Sequence, residues 1–285
     1  MKTIAKIFRP AEPHFVGDGF RVHNFIPSAA DMQRMNPFLM LDYNSKHIFP
    51  PTDKPRGLSV HPHRGFETVT IAYKGRVEHH DSAGGGGIIG EGDVQWMTAA
   101  RGVLHKEYHE REWSKSGGEF QMTQLWVNLP AAVKMSPPKY QAIAHSEIPR
   151  VPVEKGEIEV IAGQYGDISG RAETFTPIHL YNVRLSEGGS VNLEFPARFN
   201  TALVVIEGDI LVNEVLAPAD HFVLMNNDGT TFSVRASKDA VVLVLSGEPI
   251  TEPIAAHGPF VMNTRQELLE AFEDYNAGKF GYLED

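Results

Sequence analysis

Residues 61–67 read HPHRGFE, and the tripeptide HKE follows at residues 105–107. Side chains two residues apart on a β-strand point to the same side of the sheet. His61 and His63 are therefore expected to point together. His105 and Glu107 should do the same. If the two strands face each other inside a small barrel, three imidazoles and one carboxylate converge. Such a donor set suits a first-row divalent metal, such as iron, nickel, copper or zinc. The two stretches predict a metal site in the mouth of a β-barrel.

The rest of the chain has the pattern of an all-β protein. Many short β-branched runs are separated by turns, and the 285 residues include 26 Gly and 19 Pro. This pattern is typical of a barrel or a sandwich. We expect a loop at residues 44–58 and a connecting segment at residues 130–150. Residues 264–275 predict the one clear helix, because Thr264 and Glu267 form a capping box. Apolar residues follow at helical spacing, namely Leu268, Leu269, Phe272 and Tyr275.

The second half of the chain repeats part of the first. Residues 66–68 align with residues 199–201, and Gly75 then aligns with Gly208, which an internal duplication explains. The places of the first two histidines are taken by Glu194 and Pro196.

This alignment predicts two domains. Residues 1–135 are the expected N-terminal domain, which binds the metal. Residues 136–285 are the expected C-terminal domain, which is metal-free and ends in the closing helix.

Composition narrows the class of function. The net charge of −10 argues against a dedicated nucleic-acid binder. The absence of cysteine excludes disulfides, thiolate ligands and a cysteine nucleophile. No stretch reaches the roughly 18 apolar residues of a membrane span, and the N-terminus lacks the apolar core of a signal peptide. We therefore expect a cytoplasmic protein that binds neither nucleic acid nor membrane directly.

Several residues near the two stretches leave alternatives open. Glu67 is a rival carboxylate ligand; it is otherwise a group that orients an imidazole or a charge at the barrel rim. At most one of His79 and His80 can reach the site, because adjacent strand residues face opposite sides. A solvated strand end is the preferred interpretation of this pair. The glycines at residues 84–87 predict a mobile hairpin loop rather than a phosphate-binding loop, because no Lys-Ser/Thr and no helix follow.

Longer stretches resemble the pirin family of the cupin superfamily. Residues 61–69 (HPHRGFETV) match the family's first motif, and residues 92–107 (GDVQWMTA through HKE) match the second. Further similarities lie at residues 36–38 (NPF), 161–166 (IAG with YG) and 258–264 (GPFVMNT), so the resemblance covers nearly the whole chain. It implies a bicupin, with two jelly-roll barrels and iron in the N-terminal one. The ligands that it implies are His61, His63, His105 and Glu107.

The resemblance also implies a function. Pirins are associated with quercetin 2,3-dioxygenase activity, so the expected substrates are O2 and a flavonol or similar aromatic enol. The expected cofactor is Fe2+, and Ni2+, Mn2+, Cu2+ and Zn2+ are alternatives. Four protein ligands leave two positions of an octahedral ion to other molecules. Glu107 is the candidate base for the substrate's hydroxyl proton, and Phe66 and Trp96 are candidates to stack on an aromatic ring.

A second function follows from the same resemblance. The eukaryotic member is a nuclear transcriptional coregulator, so the alternative is a metal-containing regulator that acts through a protein partner. A monomer is the expected state. Two residues depart from the family pattern, Asn36 in place of Asp and Ala100 in place of Gly. If that position needs a left-handed backbone angle, Ala100 strains the loop that leads to His105.

Overall fold

The computed structural model describes residues 1–285 and consists mainly of β-strands, which confirms the all-β prediction. Three α-helices interrupt the strands: α1 (Met32–Met35), α2 (Arg111–Ser116) and α3 (Arg265–Asn276). The strands in chain order are β1 (Ile4–Phe8), β2 (His14–Val16), β3 (Phe20–Ile26), β4 (Phe38–Phe49), β5 (Gly57–His63), β6 (Phe66–Lys74), β7 (Val77–Asp81), β8 (Gly86–Ile89), β9 (Val94–Thr98), β10 (Val103–His109), β11 (Gly118–Asn128), β12 (Lys139–Ile143), β13 (Arg150–Ala162), β14 (Gln164–Tyr165), β15 (Ile168–Ser169), β16 (Ile178–Glu194), β17 (Asn200–Glu207), β18 (Ile210–Val212), β19 (Val215–Ala217), β20 (Phe222–Met225), β21 (Thr231–Ala236), β22 (Ala240–Gly247), β23 (Ala255–His257) and β24 (Phe260–Met262).

The chain folds into two compact units, each built from three separate segments. We call them the apolar unit and the histidine unit. The apolar unit contains residues 1–11, 28–37 and 146–249. The histidine unit contains residues 12–27, 38–145 and 250–285.

This division differs from the predicted boundary between residues 135 and 136 at both ends of the chain. Strand β1 belongs to the apolar unit, because it pairs antiparallel with β20. Helix α3 belongs to the histidine unit. The Arg64 guanidinium lies 2.9 Å from the Asp274 carboxylate of this helix, and the Val261 N–H donates to the Arg64 carbonyl. These pairings join residues that are distant in sequence, which a local pattern does not show.

The histidine unit is built from two main sheets. A seven-stranded sheet has the order β12-β9-β6-β11-β4-β3-β2, and a four-stranded sheet has the order β5-β10-β7-β8. Two predicted loops are partly wrong. Residues 44–49 continue β4, because β11 pairs with it as far as Phe49, and residues 139–143 form β12 on the edge beside β9.

The apolar unit is a nine-stranded sheet of order β1-β20-β17-β22-β16-β21-β18-β19, with β13 paired to β16. Strands β6 and β17 begin within one residue of aligned positions of the predicted repeat and are followed by Gly75 and Gly208, whose φ angles are 82° and 73°. A Cβ at Gly208 would lie 2.2 Å from the Asp239 carbonyl oxygen, so this turn requires glycine. Valine, isoleucine, leucine and phenylalanine side chains form most of the core of this unit. Its lack of a metal stays a prediction.

Helix α3 begins with the predicted capping box of Thr264 and Glu267. Gly278, with φ 73°, follows its last turn. Leu268 is buried, but Leu269 is 50% exposed, so the predicted apolar stripe is only partly packed. No helix in the protein combines the length and the apolar character needed to span a bilayer.

Candidate metal centre

The four predicted ligands lie on two strands that are direct neighbours. Strand β5 carries His61 and His63, and β10 carries His105 and Glu107. The strands pair antiparallel with His105 opposite His61, so they do not face each other across a barrel as predicted. Cross-strand partners already bring their side chains to within about 5 Å of each other. The register shifts between His105 and Glu107, and such bulges commonly re-aim side chains beside functional sites.

The three imidazoles form one cluster. Their ring centres lie 4.1 Å (His61 to His105), 4.7 Å (His63 to His105) and 4.9 Å (His61 to His63) apart. Nδ1 of His61 lies 2.8 Å from the Ser59 carbonyl oxygen, and Nδ1 of His63 lies 3.3 Å from that of Pro259. A carbonyl only accepts hydrogen bonds, so each Nδ1 carries the proton and each Nε2 keeps its lone pair.

Burial keeps these imidazoles neutral. It lowers the pKa of His61 and lowers the pKa of His63 and of His105 well below the ordinary value, and repulsion from neighbouring imidazoles adds to the effect. Neutral imidazole is the form that binds metals. Nε2 of His105 is fully buried and has no hydrogen-bond partner, a cost that a bound cation would remove. The cluster therefore fits a divalent metal.

Glu107 extends the cluster on the side of His105. Its carboxylate and the ring nitrogens of His105 and His79 form a second group of donors within 4.8 Å of one another. Oε1 accepts from Thr70 Oγ1 and Oε2 accepts from Gln124 Nε2, both at 3.3 Å. Burial raises the pKa of Glu107, but the neighbouring imidazoles of His79 and His61 and the Thr70 hydroxyl outweigh burial and leave the pKa below the ordinary value. The carboxylate is therefore ionised at neutral pH.

A cavity of about 350 Å³ lies beside the cluster, and His61, His63 and Glu107 form part of its wall. Most of the remaining wall is apolar. Sequence reasoning missed the strand residues that line it, although their spacing of two along β4 and β11 is a signal that would have found them. These residues form three cross-strand pairs: Met40 with Trp126, Asp42 with Gln124, and Asn44 with Met122.

Family models match both halves of the chain. The model described as Pirin matches residues 19–127, and the model described as Pirin C-terminal cupin domain matches residues 180–281. The chain belongs to the pirin family. The predicted architecture of two cupin domains is thereby confirmed.

Individual relatives cover this pirin almost completely. A Pseudomonas aeruginosa protein named "Putative quercetin 2,3-dioxygenase" is 46% identical to it over 98% of this chain and 99% of the relative. Pirin-like protein 2 of Arabidopsis thaliana is 37% identical over 98% of this chain and 85% of the relative. A crystal structure titled quercetin 2,3-dioxygenase from Acinetobacter baumannii matches with a TM-score of 0.94 at 46% identity, covering 100% of both chains.

In this pirin, Glu67 lies away from the cluster. Its neighbour on β6 three residues further, Thr70, contacts Glu107, so Glu67 points to the opposite face of the strand. There its Oε1 accepts a hydrogen bond from Thr98 Oγ1 at 2.7 Å. The side chain is only 1% exposed, so it is not a charge at the rim either. The geometry thus favours Glu107 over Glu67 as the ligand.

Glu67→Gln is expected to stabilise the protein at pH 8 but not at pH 5. Burial raises the pKa of Glu67 to about 7, while Thr98 and Trp96 partly oppose this. Between pH 4.5 and 7 the unfolded chain loses this proton and the folded protein keeps it, so stability falls as pH rises. A shift of this size corresponds to roughly 3 kcal/mol. Thermal unfolding of both proteins at the two pH values measures the effect, and equal differences at both would contradict it.

The structure contradicts the prediction that His79 and His80 belong to a solvated strand end. His79 is fully buried, and its Nδ1 lies 3.5 Å from His105 Nδ1, whereas His80 is exposed and contacts Glu78. The glycine run is also an ordered turn followed by β8: the Asp81 N–H donates to the Gly85 carbonyl. The sequence signal for His79 was present, since only one residue of the pair can point inward.

Two further expectations concern the surroundings of the cluster. Phe66 does lie beside it, with its ring 5.0 Å from His63 and 4.2 Å from Trp126. Trp96 is buried elsewhere and does not line the cavity.

Ala100, at the position that is glycine in the family's pattern, has φ 42° and therefore adopts a left-handed backbone angle. Alanine adopts this angle only at a cost in strain, of about 1 kcal/mol.

Proposed function

We propose that this pirin is a metal-dependent dioxygenase that cleaves a flavonol-type aromatic enol with O2, using Fe2+ held by His61, His63, His105 and Glu107. The observation that supports the proposal is that three of these residues, His61, His63 and Glu107, border a partly open, mainly apolar cavity. Metal donors and an apolar pocket in one place suit a planar aromatic substrate that also carries oxygen donors. The names of the relatives agree with this class of reaction.

The cavity suits such a substrate in size and in lining. Its volume of about 350 Å³ lies in the range of small-molecule sites, roughly 300–1,000 Å³. Trp126 and Phe20 offer aromatic surface for a flavonol ring. Asp42, Asn44 and Gln124 add polar groups to the wall, and these would orient the substrate's hydroxyl groups.

The protein's own residues divide the remaining tasks. Glu107 is ionised and borders the cavity, so it takes the proton of the substrate's enol hydroxyl. Thr70 and Gln124 each donate to one of its oxygens and hold the carboxylate in place. The apolar wall excludes bulk water from the deprotonated substrate.

A bound Fe2+ would supply the one-electron chemistry that lets a closed-shell substrate react with O2. The donor set of three imidazoles and a carboxylate also accepts Ni2+, Mn2+, Cu2+ or Zn2+.

The decisive experiment loads the protein with Fe2+ without air, adds quercetin, admits O2 and follows the loss of flavonol absorbance. We expect turnover by the wild-type protein and none above background by His61→Ala. His80→Ala is the matched control, because that histidine lies on strand β7 of the same sheet and is exposed. Metal binding without turnover of quercetin or any other flavonol or enediol would contradict the enzyme and favour the regulator.

A further inference from the structure

Three histidines of the metal centre differ in what holds their second nitrogen. The Nδ1 atoms of His61 and His63 face carbonyl oxygens, and that of His105 faces another imidazole, His79. A carbonyl selects the Nδ1–H tautomer by itself, because it has no proton to offer. An imidazole can either donate or accept. The orientation of His105 therefore depends on what sets the proton of His79.

Asp81 is the group that can set this proton. Its Oδ2 is 3.6 Å from Nε2 of His79, a fully buried nitrogen that makes no hydrogen bond in the structure and has this carboxylate as its available acceptor. If His79 carries its proton on Nε2, facing the carboxylate, its Nδ1 has a lone pair to accept from His105. His79 Nδ1 is also closer to His105, at 3.5 Å, than to Glu107 Oε1, at 3.8 Å.

The surroundings hold Asp81 and His79 in this orientation. Oδ1 of Asp81 accepts from the backbone N–H groups of Ala83 and Gly85, at 2.8 and 2.9 Å. A Cβ at Gly85 would lie 2.3 Å from Asp81 Oδ2, so the glycine leaves the space that this carboxylate needs. The Tyr140 ring stacks on His79 with ring centres 5.3 Å apart and planes at 22°. The glycine-rich turn thus supports the carboxylate.

We propose that His79 and Asp81 are positioning residues of the metal centre, linked to it by a chain in which His105 Nδ1–H donates to His79 Nδ1 and His79 Nε2–H donates to Asp81. We call these three residues the relay. The relay keeps the Nε2 lone pair of His105 pointed at the metal and makes His105 a stronger metal ligand. The inference rests on the metal centre of the proposed function.

The test titrates Co2+, as the probe metal, into the wild-type protein, four single variants and the double variant that combines His79→Phe with Asp81→Asn. His79→Phe removes both nitrogens while keeping a flat ring. Asp81→Asn keeps an oxygen for the turn and loses the carboxylate. His79→Gln can still accept at one end and donate at the other, so it is the conservative variant. His80→Ala is the matched control on the outer side of the same strand.

We expect His79→Phe and Asp81→Asn each to raise the Kd for Co2+ by roughly 10- to 100-fold, the usual effect of losing a partner of a metal-bound histidine. Both variants should also shift the visible absorption bands of bound Co2+, because the strength of His105 as a metal ligand changes. The Kd and the absorption bands of His79→Gln should lie between those of these variants and the wild type, and those of His80→Ala should match the wild type. The double variant should bind Co2+ only slightly more weakly than either single variant, because both substitutions break the same series of hydrogen bonds.

Wild-type affinity and spectrum in His79→Phe and Asp81→Asn would overturn the relay and leave the proposed function standing. Strictly additive losses in the double variant would also overturn it, since independent structural effects add. Failure of the wild-type protein itself to bind Co2+ or Fe2+ would instead remove the metal centre, and the proposed function with it.

Discussion

Glu107→Gln is expected to lower the affinity for Fe2+ by more than roughly 100-fold, which exceeds the usual cost of losing an outer partner of a metal site. A carboxylamide carries no charge and is a poor donor to a hard cation. Glu107 is 5% exposed and ionised, and it shares its donor group with His105. Metal analysis of protein purified without a chelating tag, and then titrated with Fe2+ without air, measures the change.

Glu67→Gln is the matched control, because it makes the same substitution at a buried glutamate of the same unit. Its carboxylate bonds Thr98 on the other face of β6, so metal affinity should stay at the wild-type level. Glu107→Asp should keep a negative charge for the metal, but its shorter side chain places the carboxylate further from the substrate. We therefore expect metal content to be retained and turnover to be lost. The reverse pattern, with Glu67→Gln lowering metal content and Glu107→Gln leaving it intact, would overturn the ligand assignment.

Lys134→Met is expected to have the largest effect on stability. This lysine is 1% exposed, and its Nζ donates to the Gly65 carbonyl at 2.6 Å, Asn128 Oδ1 at 2.7 Å and the Val261 carbonyl at 3.0 Å. Methionine fills similar space but removes the donor from both carbonyl oxygens and leaves Asn128 Oδ1 with the Leu129 N–H alone. The cost is on the order of 3–5 kcal/mol, or a fall in Tm of about 10 °C.

Calorimetry of Lys134→Met against Lys115→Met, an exposed lysine of the same unit, measures this effect. Burial lowers the pKa of Lys134 to about 8. Between pH 8 and 10.5 the unfolded chain binds more protons than the folded protein, so this lysine adds stability as pH rises. The loss in Lys134→Met should therefore be larger at pH 9.5 than at pH 7. Equal Tm values for Lys134→Met and the wild type would show that the three contacts contribute nothing.

The glycine between β5 and β6 shows why this lysine matters for the site. Gly65 links β5, which ends at His63, to β6, which carries Thr70. A Cβ at Gly65 would lie 1.9 Å from the Val261 carbonyl oxygen, which Lys134 also bonds. Lys134 thus ties this turn to the C-terminal segment. The sequence predicts only a connecting segment around Lys134, because no neighbouring residue indicates that this lysine is buried.

The sequence by itself determined the strand character of most of the chain, the helix with its cap and the histidine motif. Each of these depends on a short repeat or a fixed spacing: two for strands, three to four for the helix. The family resemblance selected Glu107 over Glu67, a choice that spacing left open. Periods of this kind are properties of neighbouring residues, so they can be read before any contact is known.

Only the tertiary structure decided which strands meet. It made β5 and β10 neighbours, brought His79 and Asp81 behind His105, and joined both chain ends to units other than the predicted ones. The pairing register of β4 with β11 likewise created the cavity wall. The physical reason is that strand pairing joins residues far apart in sequence through backbone groups that every residue carries, so side-chain order along the chain leaves the partner undetermined.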